Sequence, residues 1–119
     1  MLMKFPKNRV KTVIEIEDAT VLAFTIDRIT PTGKFFQEPI NAPPELILKK
    51  GRQLFLRSMV LYTGGMHYIC YFHCQGAWYE YNDLGPTFTR IGSFDDMMDR
   101  NPQPDTHATI FLYSMHKPL

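Results

Sequence analysis

Residues 53–82, QLFLRSMVLYTGGMHYICYFHCQGAWYEYN, decide the fold of this chain. The stretch contains three apolar or alternating runs, Gln53–Tyr62, Met66–Cys74 and Ala77–Asn82, and glycines separate each run from the next. Runs of this length that are separated by glycine turns are typical of antiparallel strands joined by short loops. The stretch therefore predicts three consecutive antiparallel strands.

The sequence on either side extends this prediction to a larger sheet. The further strand candidates are Thr12–Glu17, Thr20–Ile29, Phe88–Ile91 and Ala108–Tyr113. Prolines between these runs indicate loops. We therefore expect one α+β domain over residues 1–119, built mainly from a seven-stranded antiparallel sheet.

A single short helix is predicted at Ser93–Arg100. Ser93 is a good N-cap residue, and Asp96 follows three positions later, as in a capping box. Arg100 falls in the last turn, where a positive charge is favourable. This helix is too short to cover more than part of one sheet face.

Composition excludes several classes of protein. The chain has 119 residues, of which 45% are hydrophobic and 21% charged, and its formal net charge is +1. This balance is not that of a disordered chain, and it gives no general attraction to nucleic acid. The basic arm at residues 1–11 is most simply a solvated segment. No apolar run is long enough to span a bilayer or form a signal peptide, so we expect an intracellular protein of the cytoplasm or nucleus.

The two cysteines, Cys70 and Cys74, lie on one predicted strand. Positions four apart on a strand have Cα atoms roughly 13 Å apart, whereas a disulfide needs less than about 7 Å. With His67 and His73 they suggest a zinc site at first sight. Alternation along the strand instead places the thiols on one face and the imidazoles on the other, so we predict neither a metal site nor any other cofactor.

Seven local patterns follow one another between Asp18 and Tyr113. They are Val21–Ile29 (VLAFTIDRI), Lys34, Ile40–Leu48 (INAPPELIL), the strand Leu54–Tyr62, Gly65–Phe72 (GMHYICYF), Trp78–Asp83 (WYEYND) and Ala108–Tyr113 (ATIFLY). In this order and spacing they resemble the C-terminal half of the ubiquitin-specific proteases, a family of cysteine deubiquitinases. The resemblance covers residues 18–113 and implies the sheet half of a papain-like fold.

The resemblance gives roles to three residues around the histidine. It implies that His67 stands where the family has its general base, that Asn82 orients the imidazole, and that Asp83 is a neighbouring polar helper. A thiolate nucleophile needs an imidazole that a third group holds in one tautomer. We therefore expect the side chains of His67 and Asn82 to lie about 3–5 Å apart.

In the family, the loop before the histidine borders the channel for the C-terminal glycines of ubiquitin. We predict as binding residues this loop and two nearby aromatic residues: Gly64, Gly65, Met66, Tyr68 and Trp78. Each feature also has a purely structural interpretation. His67 can be a histidine without chemistry, Asn82–Pro86 has the composition of an ordinary turn, and the aromatic residues can be cross-strand packing.

The chain departs from the family at its nucleophile. Nothing in residues 1–17 resembles the family's cysteine box, and no cysteine precedes His67. Cys70 is three positions from His67 on the same strand and so points to the opposite face. The resemblance therefore implies a module that is not an enzyme on its own, with His67, Asn82 and Asp83 as vestiges of a catalytic site.

Three functions agree with this pattern. The first is a non-catalytic module that acts by protein binding or assembly, with weak binding of ubiquitin. The second is a structural subunit of a large complex such as a virus particle, and the third is the His/Asn half of a split deubiquitinase completed by another chain's cysteine. Because apolar residues occur on both faces of the strands and one short helix cannot cover a face, we expect a partner chain, self or foreign.

Overall fold

The computed structural model describes residues 20–35, 37–40, 42–48, 51–85 and 88–115. These contain seven strands and two short helices. In chain order they are β1 (Val21–Thr25), β2 (Glu45–Ile47), β3 (Gln53–Gly64), β4 (His67–Cys74), β5 (Ala77–Tyr81), β6 (Phe88–Gly92), α1 (Phe94–Met98), α2 (Pro104–His107) and β7 (Ala108–Ser114). No helix in these ranges is long and apolar enough to cross a membrane.

The strands form one sheet in which every pairing is antiparallel. Six strands lie in the order β1-β7-β3-β4-β5-β6, and β2 pairs with the beginning of β3. The predicted mainly antiparallel architecture is confirmed, and the three strands of residues 53–82 are consecutive neighbours as expected.

Several boundaries differ from the sequence prediction. The strand expected at Thr12–Glu17 lies outside the described residues, and the strand expected at Thr20–Ile29 ends at Thr25. β2 was not predicted because it has only three residues and directly follows two prolines, which indicate a loop. The second helix, α2, was also missed: Pro104 begins it, because proline fits the first turn of a helix.

The predicted helix is confirmed with a shorter span. α1 begins after Ser93, whose side chain accepts a hydrogen bond from the backbone N–H of Asp96, and the Asp96 carboxylate accepts one from the N–H of Ser93. This is the expected capping box. The helix ends at Met98, two residues before the predicted end.

Both tight hairpins use left-handed backbone conformations. Gly65 and Met66 form the two-residue loop between β3 and β4, with φ of 57° and 63°. Gln75 and Gly76 form the loop between β4 and β5, with φ of 49° and 83°. Two central residues at positive φ match the right-handed twist of antiparallel strands, so these loops set the register of β3, β4 and β5.

The core lies on one face of the sheet, under the two helices. Its largest members include Phe111, Leu54, Leu61 and Met97, and none of these is more than 1% exposed. Buried tyrosine hydroxyls fasten loops to this core. Tyr71 Oη donates to the carbonyl oxygen of Pro102 and Tyr113 Oη to that of Pro43. Burial raises the pKa of both phenols.

Arg28 is a buried cation that joins three segments. Its guanidinium donates from Nε to the carbonyl of Ala108, from Nη1 to that of Glu38 and from Nη2 to that of Asp105, over 2.6 to 2.8 Å. The side chain is 1% exposed. The loop after β1 is therefore tied to α2 and to the start of β7 by charge-assisted hydrogen bonds.

The other face of the sheet, called the open face below, carries no helix within the described residues. Strand alternation and register place on it Val21, Ala23, Thr25, Ser58, Val60, Tyr62, Tyr68, Cys70, Phe72, Tyr79, Tyr81, Phe88, Arg90, Ile110 and Leu112. All of these residues are half-buried or exposed. The described residues form a slab only 20 Å thick, as expected when a single layer covers one face of the sheet.

Candidate functional site

The end of the β4–β5 hairpin brings together the residues of the predicted histidine site. His67 is the first residue of β4, and Asn82 directly follows β5. Antiparallel pairing of the two strands, with Cys70 opposite Tyr81, places the side chains of His67 and Asn82 at the same end of the β4–β5 pair. Asp83 begins the turn that follows.

His67 and Asn82 are in direct contact. His67 Nε2 lies 3.0 Å from Asn82 Oδ1, so the predicted proximity of the two side chains is confirmed. The same Asn82 oxygen accepts the backbone N–H of Leu84 at 3.0 Å, which identifies it as the amide oxygen. Because that atom can only accept, His67 Nε2 carries the proton and donates it to the bond.

Asp83 lies on the other side of the imidazole. Its Oδ1 is 3.5 Å from His67 Nδ1, and the side chains of His67 and Asp83 are 24% and 66% exposed. With Nε2 engaged by Asn82, Nδ1 is the only ring nitrogen that could serve a reacting group. The Asp83 carboxylate lies beside Nδ1, on the side from which a reacting group would approach.

The thiols lie away from the imidazole. Cys70 is on the open face, where its Sγ donates to the carbonyl of Tyr71, whereas His67 points to the opposite side of β4. Burial raises the pKa of the Cys70 thiol, which lowers the fraction present as nucleophilic thiolate. Cys74 ends β4, far from His67, and both cysteines are free.

The predicted binding residues divide into two groups. Gly64, Gly65 and Met66 form the hairpin turn beside His67, and Met66 is 89% exposed. Its backbone N–H donates to Tyr62 Oη over 3.4 Å. Tyr68 follows on the open face, with its ring 5.1 Å from that of Tyr62. These residues form a continuous exposed tip.

Trp78 does not belong to this surface. The indole is 3% exposed and packs edge-on against His73 and Phe94 in the core. Trp78 is also paired with His73, six residues along β4 from His67. Trp78 faces the core under α1, so a binding role for it stays a prediction.

Leu84 is a neighbour of the site that the sequence prediction missed. Its side chain is 80% exposed, and its backbone N–H fixes the Asn82 amide. The available signal was the sequence Asn82–Gly85, because an asparagine side chain commonly accepts the N–H two residues later in a turn. The turn and the histidine contact therefore use the same oxygen.

A small cavity lies at the other end of the sheet. About 170 Å³ of space is lined by Glu45, Phe55, His73, Trp78 and Phe94, among others. Burial, together with the nearby Arg57 charge, lowers the pKa of His73. Within the ranges described above, no three His, Cys, Asp or Glu side chains are arranged to hold a metal ion.

Comparison with known proteins adds no relatives to this description. No protein-family model matches the chain, and no curated protein matches it significantly.

Proposed function

We propose that this chain is a non-catalytic module, similar to the sheet half of a ubiquitin-specific protease, that acts by binding another protein. The observation that carries the proposal is the 3.0 Å contact between His67 Nε2 and Asn82 Oδ1. An imidazole fixed by an amide oxygen is the base–orienter arrangement of papain-like cysteine enzymes. The order of the seven sequence patterns supports the same family resemblance.

The surroundings of His67 argue against catalysis by the chain alone. The Nδ1 nitrogen that a thiol would need has the Asp83 carboxylate at 3.5 Å. Cys70 is on the other side of the strand, and burial raises its pKa. A base without a nucleophile in hydrogen-bond reach cannot activate one. The exposed tip at Gly64–Met66 and Tyr68 is then the part of the site left for binding.

Titration with ubiquitin tests the binding part of the proposal. We expect weak, fast-exchange shifts in ¹H–¹⁵N spectra, centred on Met66 and Tyr68, when ubiquitin is added to the labelled chain. Met66→Glu should reduce them. Ile47→Glu is the matched control, because Ile47 is 56% exposed and β2 pairs with the opposite end of β3. Hydrolysis of a ubiquitin conjugate by the chain, or shifts that avoid the tip, would contradict the proposal.

The open face favours a second candidate, a structural subunit of a large assembly. A sheet that exposes aromatic and aliphatic side chains over one whole face is suited to permanent packing against other chains. In that case ubiquitin would cause no shifts at any position, while the chain would co-purify with the other components of its assembly. Affinity for ubiquitin therefore distinguishes the two candidates.

A further inference from the structure

The imidazole of His67 and the carboxylate of Asp83 place two hydrogen-bond acceptors close together at the surface. His67 Nε2 donates its proton to Asn82 Oδ1, which also accepts the backbone N–H of Leu84. In the neutral imidazole Nδ1 therefore has a lone pair and no proton. Asp83 Oδ1, which can only accept when the carboxyl is ionised, lies 3.5 Å from that nitrogen. Neither atom can satisfy the other.

The Asp83 carboxylate has no lysine or arginine within ion-pair distance in the part of the chain that the structure describes. Its ion-pair contact is with His67, which is charged only when it is protonated. The side chain of Asp83 is 66% exposed, so water solvates it in the free chain. A carboxylate that a bound protein covers loses this water, which costs free energy unless a cation or a donor replaces it. The carboxylate therefore selects a partner that carries a positive charge at this position.

Two strongly exposed apolar side chains are the chain neighbours of this pair. Met66 directly precedes His67 and is 89% exposed, and Leu84 directly follows Asp83 and is 80% exposed. The side chains of lysine and arginine lay their alkyl stems on apolar surface of this kind and keep the charged head at a polar group. The surface therefore offers apolar contact for a stem and two acceptors for a cationic head.

We infer that a basic side chain of the partner docks beside the tip and that its cationic head donates hydrogen bonds to His67 Nδ1 and Asp83 Oδ1 together. The inference rests on the proposed function and deepens it by naming the chemistry that the partner presents. A lysine ammonium has three donors and no acceptor. Because the two acceptors are 3.5 Å apart, one nitrogen can lie about 2.8–3.0 Å from both.

Hydrogen bonds within the chain support this site before a partner binds. The Asn82 oxygen stabilises both the imidazole and the turn that contains Asp83 and Leu84. On the other side of His67, the two-residue loop of Gly65 and Met66 has both residues at positive φ, which is the preferred geometry of such hairpins. A preformed site loses less conformational entropy when it binds.

Titration of the labelled full chain with short peptides tests the inference. The first probe is acetyl-Leu-Lys-Leu-amide at about pH 8, where an ordinary histidine is neutral. We expect ¹H–¹⁵N shifts at Met66, His67 and Leu84, with a dissociation constant in the millimolar range. Two matched peptides isolate the donors: trimethyl-lysine keeps the charge without N–H groups, and glutamine has no charge. Both should bind at least about fivefold more weakly. An arginine peptide shows which of the two basic side chains the site prefers.

Variants of the chain locate the contact. Asp83→Asn keeps the shape of the side chain and removes its charge, so it should weaken binding of the lysine peptide at least about fivefold. Its circular dichroism should be unchanged, because an exposed ion pair contributes little to the fold. Asp95→Asn is the matched control, since Asp95 is an exposed acid on α1.

Three results would overturn the inference. They are equal binding of the lysine, trimethyl-lysine and glutamine peptides, an Asp83→Asn chain that binds as tightly as the unmodified chain, and no shifts at millimolar lysine peptide. No ubiquitin is present, so the outcome is separate from that of the ubiquitin titration. A chain that binds the lysine peptide and not ubiquitin keeps the basic-side-chain site and rejects ubiquitin as its partner.

Discussion

His67 is held by an amide oxygen that also closes a turn. Asn82 Oδ1 accepts from His67 Nε2 and from the backbone N–H of Leu84, both over 3.0 Å. The imidazole orientation and the turn at residues 82–85 are therefore both stabilised by one atom. A histidine at the end of a strand can keep a catalytic-like orientation for this structural reason alone, without any nucleophile nearby.

Replacing this amide should therefore affect stability. We expect Asn82→Ala to lower the free energy of unfolding by about 1–2 kcal/mol, because the part-buried imidazole N–H of His67 and the exposed N–H of Leu84 both lose their acceptor. Urea unfolding followed by tryptophan fluorescence gives the value. Asp83→Ala should change it by less than about 0.5 kcal/mol, since exposed ion pairs contribute little. Equal effects of the two substitutions would contradict the shared role of the Asn82 oxygen.

Met66 occupies a backbone conformation that favours glycine. Its φ is 63°, and its side chain is 89% exposed, so packing does not compensate for the strain. We expect Met66→Gly to raise the free energy of unfolding by about 0.5–1 kcal/mol, the strain of a left-handed residue less the added freedom of the unfolded chain.

The neighbouring glycine gives the opposite test. Gly65 has φ of 57° with nothing within 4 Å of an added Cβ, so Gly65→Ala introduces backbone strain without a clash. Thermal unfolding of both variants should show Met66→Gly above the unmodified chain and Gly65→Ala below it. If Met66→Gly unfolds at a lower temperature, the methionine side chain stabilises the turn and the strain argument is wrong.

At the scale of the elements, α1 depends on its capping box. The Asp96 carboxylate accepts a hydrogen bond from the backbone N–H of Ser93. This bond, and after it the interaction with the Ser93 side chain, holds the pKa of Asp96 below its usual range. A carboxyl whose pKa is lower in the folded state contributes stability above its unfolded pKa of about 3.9, and that contribution is lost as the pH falls through the folded pKa.

Asp96→Asn should therefore remove a pH-dependent part of the stability. We expect the unmodified chain to be more stable than the variant at pH 7 and the difference to vanish below the folded pKa of Asp96. Unfolding measured between about pH 2 and 7 gives this difference across the acidic range. Asp95→Asn, in the same turn, serves as a control for the loss of one negative charge. A difference that stays constant across that range would argue against the capping role of the carboxylate.

The elements also show what sequence reasoning can reach. Strand alternation and glycine turns predict β3, β4 and β5 because their side-chain pattern and their loops depend on local chemistry. β2 has three residues and exists because β3 offers it an edge, which is information from elsewhere in the chain. The side of the sheet that Trp78 faces depends on distant parts of the chain for a related reason: an aromatic residue on a strand can face either side, and the packing of α1 decides which side is the core.

At the scale of the whole molecule, the histidine site and the open face are separate surfaces of one sheet. The site lies at the end of β4 and β5, on the side of His67, while Cys70 and its neighbours lie on the opposite face. The two surfaces meet at Tyr68, which lies on the open face and also borders the tip at Gly64–Met66. A protein bound at the tip therefore also contacts this corner of the open face.

The central claim is that the chain presents an oriented His67 without a nucleophile and so acts by binding. Intact-mass spectrometry of the full chain after incubation with an electrophilic ubiquitin probe tests it most directly. The account predicts no adduct on the native chain, while denatured chain treated with a small maleimide shows that Cys70 and Cys74 are reduced and able to react. A covalent ubiquitin adduct on either cysteine of the native chain, lost in His67→Ala, would contradict the claim.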